Sequence, residues 1–96
     1  MKLYELLQGI TVLETNVDVN MEIDSVIYDS RKEIVGTTLF VAVTGFASDG
    51  NKYIPMVLEK GAAVIVTAKK PENDVPYILV ESDRLARQYV LDKMSI

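Results

Sequence analysis

Cysteine and histidine are both missing from this 96-residue chain. Without cysteine there is no disulfide framework, no thiolate metal site and no thiol nucleophile. Without histidine the commonest general base and the commonest metal ligand are gone. Long apolar runs are missing too, and a stretch such as Ala62–Val66 is far too short to span a bilayer. The opening Met1-Lys2-Leu3-Tyr4-Glu5 carries an acid at once and no apolar core. It does not read as a secretory signal, so the expected setting is the cytoplasm. Basic residues are in deficit. A net charge of −4 argues against a nucleic-acid partner, which needs a basic face. Neither a membrane nor a nucleic acid is therefore expected as a partner, and an anionic ligand would have to be held by local donors.

What is present is 49% apolar residues, enough for a core. A chain of this size buries roughly 60 to 65% of its unfolded surface, so one domain of modest stability is expected. Leu3, Leu6, Leu7 and Ile10 recur at helical spacing, with Gly9 as a stop. From Asn16 to Glu22, Val17, Val19 and Met21 alternate with polar residues, which predicts a half-buried strand or extended edge segment. Ile23–Tyr28 reads as a second extended element, broken by Asp29 and Ser30, whose side chains compete for nearby backbone groups. Leu39–Val43 is continuous and apolar, as in a central strand buried on both faces. A helix is predicted from about Asn51 to Lys60, with Ile54, Val57 and Leu58 inward, Pro55 in the first turn and Gly61 closing it. Ala62–Thr67 and Tyr77–Val80 read as further buried strands, separated by a solvated turn at Lys69–Asp74. Ser82 is an N-cap with Asp83 in the first turn, and Leu85, Ala86, Tyr89, Val90 and Met94 share one face of a last helix. That helix carries no stop signal, which predicts a domain of a longer parent. The expectation is an α/β domain, a mixed sheet of about five strands packed with two or three helices.

The turn Asp29-Ser30-Arg31 admits two readings. In one it is an Asx-type turn with a solvated arginine. In the other Ser30 and nearby backbone N–H groups hold a phosphate or carbonyl oxygen, for which a hydroxyl can donate and accept. Arg31 can pair bidentately with a phosphate or with an acid of the same domain, and the structural pairing is the expectation. Gly45–Lys52 is a near miss to a nucleotide-phosphate loop, because Asn51 stands where the lysine should be and Tyr53 where a hydroxyl should reach magnesium. No ATP site is expected there. Phe46 at the loop tip could stack on a base or fold back on the core. Glu59, Glu72, Asp74, Glu81 and Asp83 show no paired spacing and read as solvated faces.

Taken in order, Asp29-Ser30-Arg31, Gly36, Leu39-Phe40-Val41-Ala42, Gly45, Asp49-Gly50, Tyr53-Ile54 and Gly61-Ala62-Ala63 resemble the amino-terminal domain of the Mur ligases. These are ATP-dependent amide ligases that build the peptide of the bacterial cell wall. The likeness covers about residues 23–67 and is nearest to the UDP-N-acetylmuramoyl-L-alanyl-D-glutamate ligases, which add the third amino acid. It implies that residues 1–96 are a domain holding the UDP part of the substrate, at Tyr28, at Ser30 and on the loop Phe46, Ala47, Ser48. Family members continue into a central ATPase domain and a third domain that selects the amino acid. The resemblance therefore implies binding without catalysis here, no metal or cofactor in this domain, and ATP and magnesium in the parent enzyme. The implied partners are a UDP-N-acetylmuramoyl-peptide substrate and the parent's ATPase domain. Two alternatives remain: the related ligase that adds D-alanyl-D-alanine, and a non-catalytic interaction module using a sheet edge at Val17–Met21.

Overall fold

The computed structural model describes residues 1–44 and 49–94. In chain order they form α1 (Leu3–Leu6), β1 (Val12–Thr15), β2 (Ser25–Ile27) and β3 (Thr38–Ala42). A 3₁₀ turn, Gly50–Tyr53, then leads into α2 (Ile54–Glu59), followed by β4 (Val64–Thr67), β5 (Tyr77–Val80) and α3 (Asp83–Met94). The strands make one five-stranded sheet in the order β1-β5-β4-β3-β2. β2 to β5 run parallel, and β1 is antiparallel on β5. This is the expected mixed α/β sheet with three helices.

β3 explains the layering. All five of its residues are buried, and they alternate between two cores. Leu39 and Val41 pack with Leu3 and Leu6 of α1, Ala86 and Val90 of α3, and Val64 and Val66 of β4. Phe40 and Ala42 pack on the other face with Ile54 and Val57 of α2 and with Ile65. A strand covered on both sides has no polar face, hence the unbroken apolar run. α2 begins with Pro55 in its first turn and ends at Lys60, after which Gly61 takes φ +109° and Ala62 N–H returns 2.9 Å to Val57 O. Ser82 caps α3 as expected, its Oγ accepting the Leu85 N–H at 3.2 Å. The last turn of α3 is tied to α1 through Lys93, whose ammonium donates to the carbonyls of Leu6 and Gln8.

Three expectations change. The alternating segment Asn16–Glu22 is not a strand. Asp18 Oδ1 accepts the Asn20 N–H at 2.8 Å in a local turn, and the carbonyls of Val19 and Met21 accept the N–H groups of Tyr4 and Leu3 at 2.9 Å each. The segment thus satisfies orphan donors at the start of α1, and the sheet edge expected at Val17–Met21 does not exist. The sheet edges are β1 and β2, and β1, at Val12–Thr15, is a strand that the sequence periodicity does not signal. On α3 the inward residues are Ala86, Val90 and, in part, Met94, whereas Leu85 and Tyr89 are 59% and 40% exposed.

β2 and β3 are adjacent and parallel, yet the connection between them, residues 28–37, contains no helix. Side chains hold its second half in shape. Asp24 Oδ2 accepts the Thr37 N–H at 2.8 Å, and Thr38 Oγ1 bonds Ser25 Oγ at 2.7 Å and Val35 O at 3.0 Å. Gly36 has φ +65°, and a Cβ there would lie 2.5 Å from Asp24 Oδ2. Gly36→Ala should therefore lower stability by about 1–3 kcal/mol in urea unfolding, from left-handed strain and the displaced Asp24. Unchanged stability would mean that this connection tolerates the side chain.

Candidate functional site

The carboxyl ends of β2 and β3 open into a cleft of about 570 Å³. Tyr28, Asp29, Ser30 and Arg31 form one wall, directly after β2, and Val43 continues from β3. Gly50, Tyr53 and Met56 come from the start of the α2 region, and Arg84 and Arg87 from α3. Crevices at this end of parallel strands are the usual ligand sites of open α/β sheets.

Two of the five substrate positions implied by the family resemblance, Tyr28 and Ser30, meet in this cleft. Phe46, Ala47 and Ser48 lie outside the described residues. Ser30 is 7% exposed, and its hydroxyl bonds no described side chain or backbone group. Among the described residues no buried side-chain nitrogen or oxygen lacks a hydrogen-bond partner, and Ser30 lines the cleft. Tyr28 is 53% exposed, with the guanidinium of Arg87 5.6 Å from its ring centroid. Arg31 pairs with an acid of its own domain, as expected. Its Nε donates to Asp29 Oδ1 at 3.0 Å and its Nη2 to Asp29 Oδ2 at 2.8 Å. These bonds, with the Arg31 N–H, hold the Asp29 carboxyl well below the usual carboxylate range.

Arg84 and Arg87 were not among the candidates read from sequence. Their signal was weak: two arginines three apart near a helix start, where the helix dipole disfavours cations. α3 is locked to the end of β3 by neighbouring residues. Asp83, expected on a solvated face, is instead buried: its Oδ2 accepts the Thr44 N–H at 3.0 Å, and Arg84 Nη2 donates to Thr44 O at 3.0 Å, so both backbone groups of Thr44 are held. Among the described residues, the cleft lining carries the guanidinium groups of Arg31, Arg84 and Arg87 against the single carboxylate of Asp29. It is a locally positive site in a protein of net charge −4.

The far end of the β3–α2 loop is fastened separately. Asp49 Oδ1 accepts the Asn51 N–H at 2.9 Å, Asp49 Oδ2 accepts from Lys69 Nζ at 2.9 Å, and Asn51 bonds the buried Thr67 hydroxyl. Gly50 N–H donates 2.9 Å to Val43 O, and a Cβ on Gly50 would lie 2.8 Å from Val43 N. A second cavity of about 460 Å³ lies beside this network, between the start of α2 and the turn at Lys69–Asn73. Its lining carries three lysines, Lys52, Lys69 and Lys70, against the two carboxylates of Asp49 and Glu72, a smaller positive excess than the three arginines and one aspartate of the first cleft.

The Lys69 bond, helped by Asn51, holds the Asp49 carboxyl down at about 2. Unfolded aspartate titrates near about 4. A carboxyl depressed on folding contributes stability that is present above about pH 4 and is lost as pH falls through the folded value. Glu14, bonded by Lys70, and Glu22, bonded by the amino terminus, are shifted the same way. The thermal midpoint should thus drop between about pH 4 and pH 2 at low salt, and drop less steeply in Asp49→Asn. An equally steep drop in that variant would leave Asp49 without a role in it.

No family model matches the chain. Individual relatives do. It is 44% identical over 75 residues to UDP-N-acetylmuramoyl-L-alanyl-D-glutamate–2,6-diaminopimelate ligase of Clostridioides difficile, covering 78% of this chain and 14% of that one. The Listeria monocytogenes protein of the same name is 36% identical over 96% of this chain and 18% of its own length. A UDP-N-acetylmuramyl-tripeptide synthetase of Roseiflexus is 47% identical over 90% of this chain and 17% of its own. Among solved structures, UDP-N-acetylmuramoylalanyl-D-glutamyl-2,6-diaminopimelate–D-alanyl-D-alanyl ligase from Acinetobacter baumannii matches with a TM-score of 0.74 at 21% identity, over 92% of this chain and 20% of that one. That likeness speaks for the fold. The chain spans only 14 to 18% of the length of these three sequence relatives. With such relatives matching 78 to 96% of its own length, the chain belongs to the Mur ligase family.

Proposed function

We propose that this chain is the domain of a Mur ligase that holds the uridine diphosphate part of UDP-N-acetylmuramoyl-L-alanyl-D-glutamate. In the parent enzyme an amide bond would form through an acyl phosphate, with ATP and magnesium bound in a central domain that packs against this one. The chain by itself would bind and not catalyse, and the proposed setting is the cytoplasm. Among the described residues there is no group of three or more acids that could hold a metal, and no helix long and apolar enough to cross a membrane.

The observation that carries this reading is the charge of the cleft. Three arginines line it in an otherwise acidic protein. Arg31 is neutralised by Asp29, which leaves Arg84 and Arg87 to face a diphosphate. Arginine suits phosphate because its planar fork can donate two hydrogen bonds at once. The Ser30 hydroxyl adds a neutral donor, and the exposed Tyr28 ring offers an apolar face for the base. The sequence relatives favour the third-residue ligase over the D-alanyl-D-alanine ligase: three matches to the former or to a tripeptide synthetase lie at 36 to 47% identity, against 21% for the solved D-alanyl-D-alanine ligase.

UDP should bind the chain with a dissociation constant on the order of a millimolar, because one domain supplies part of the contact surface. Uridine lacks the phosphates and should bind about tenfold more weakly. Ser30→Ala should raise the constant for UDP about fivefold, the usual worth of one hydrogen bond, with the fold intact. Calorimetry showing equal affinity for uridine and UDP would exclude a diphosphate site.

A further inference from the structure

Residues 29–34, between β2 and β3, belong to no helix or strand. Part of their shape is local. Arg31 N–H donates to Asp29 Oδ1 at 2.9 Å and Lys32 N–H to Asp29 O at 3.0 Å. Among the described residues, only one side chain from elsewhere hydrogen-bonds this stretch. Lys60 Nζ donates to Ser30 O at 2.9 Å and to Lys32 O at 3.1 Å. Lys60 is the C-cap of α2, and the Gly61 turn and the Ala62–Val57 bond fix the backbone around it. It does not line the cleft, and it makes no ion pair with a described carboxylate. Its ammonium is committed to these two carbonyls.

The consequence falls on one peptide plane. The unit joining Ser30 to Arg31 is held at both ends, its C=O by Lys60 and its N–H by Asp29. That restricts ψ of Ser30 and so the direction in which its Cα–Cβ bond leaves the turn. We infer that Lys60 is a positioning residue of the nucleotide site, holding the turn so that Ser30 Oγ faces the cleft. The inference rests on the nucleotide reading proposed above. It assigns to α2, which contributes Met56 to the lining, a second and indirect role in binding.

The test is Lys60→Met, which keeps the aliphatic stem and removes the donor. Hydrogen exchange at the Arg31 amide should quicken by at least about threefold while the amides of Leu39–Ala42 stay as slow as in the parent. The dissociation constant for UDP should rise about fivefold. Ser30→Ala added to Lys60→Met should then cost less than about twofold, since the hydroxyl is no longer aimed, whereas Arg87→Ala should cost the same factor in both backgrounds. Losses from Lys60→Met and Ser30→Ala that simply multiply would overturn the positioning role. So would a collapse of the Arg87→Ala factor, which would mean general loosening of the domain, or unchanged exchange at Arg31. A parent chain that bound no UDP, with Arg31 exchange still quickened, would instead overturn the nucleotide reading and the positioning role with it.

Discussion

The alternation of β3 between two cores is the constraint on which the rest depends. Leu39 and Val41 face one layer of helices and Phe40 and Ala42 the other, so a single strand sets the spacing of α1, α3 and α2 across the sheet. Truncating a buried phenylalanine of this kind typically costs about 3–5 kcal/mol. A small domain holds only about 5–15 kcal/mol in total. Little variation is therefore tolerable along β3. Its carboxyl end is fixed as a result, and with it the floor of the cleft.

Around that end the chain adds polar fastenings to the apolar packing of Val43, Ala42 and Ile54. Thr44 is held at both backbone groups from α3, Gly50 is closed onto Val43, and the Ser30–Arg31 peptide lies between Asp29 and Lys60. Most of these bonds sit at or near the surface, where each is worth little. Together they tie the turn after β2 and both ends of the β3–α2 loop to regular elements. The same arrangement resolves an electrostatic conflict. The overall field repels anions, but over a Debye length of about 10 Å at 0.1 M salt the nearby arginines outweigh distant acids.

Much of this was legible in the sequence because the relevant signals are local. The doubly buried run at Leu39–Ala42, the Gly61 stop after α2, the Ser82 cap and the Asx-type turn at Asp29-Ser30-Arg31 depend on near neighbours. The errors have equally physical causes. Val17, Val19 and Met21 alternate like a strand, but their backbone serves α1, whose orphan N–H groups lie far away in sequence. β1 showed no alternation because Leu13 is 59% exposed and only Val12 turns partly inward. Arg84 and Arg87 join the site only because α3 packs across the ends of β2 and β3, which no local pattern encodes. Lys60 reaches the turn for the same reason, through the packing of α2.

The central claim is that the cleft at the carboxyl ends of β2 and β3 receives a nucleoside diphosphate. Amide chemical shifts followed during a UDP titration test it most directly. The account predicts that the perturbed amides cluster at Tyr28–Arg31, Gly50–Tyr53 and Arg84–Arg87, around one cavity. Perturbations centred on Lys69–Asn73 would move the ligand to the second cavity and contradict the account.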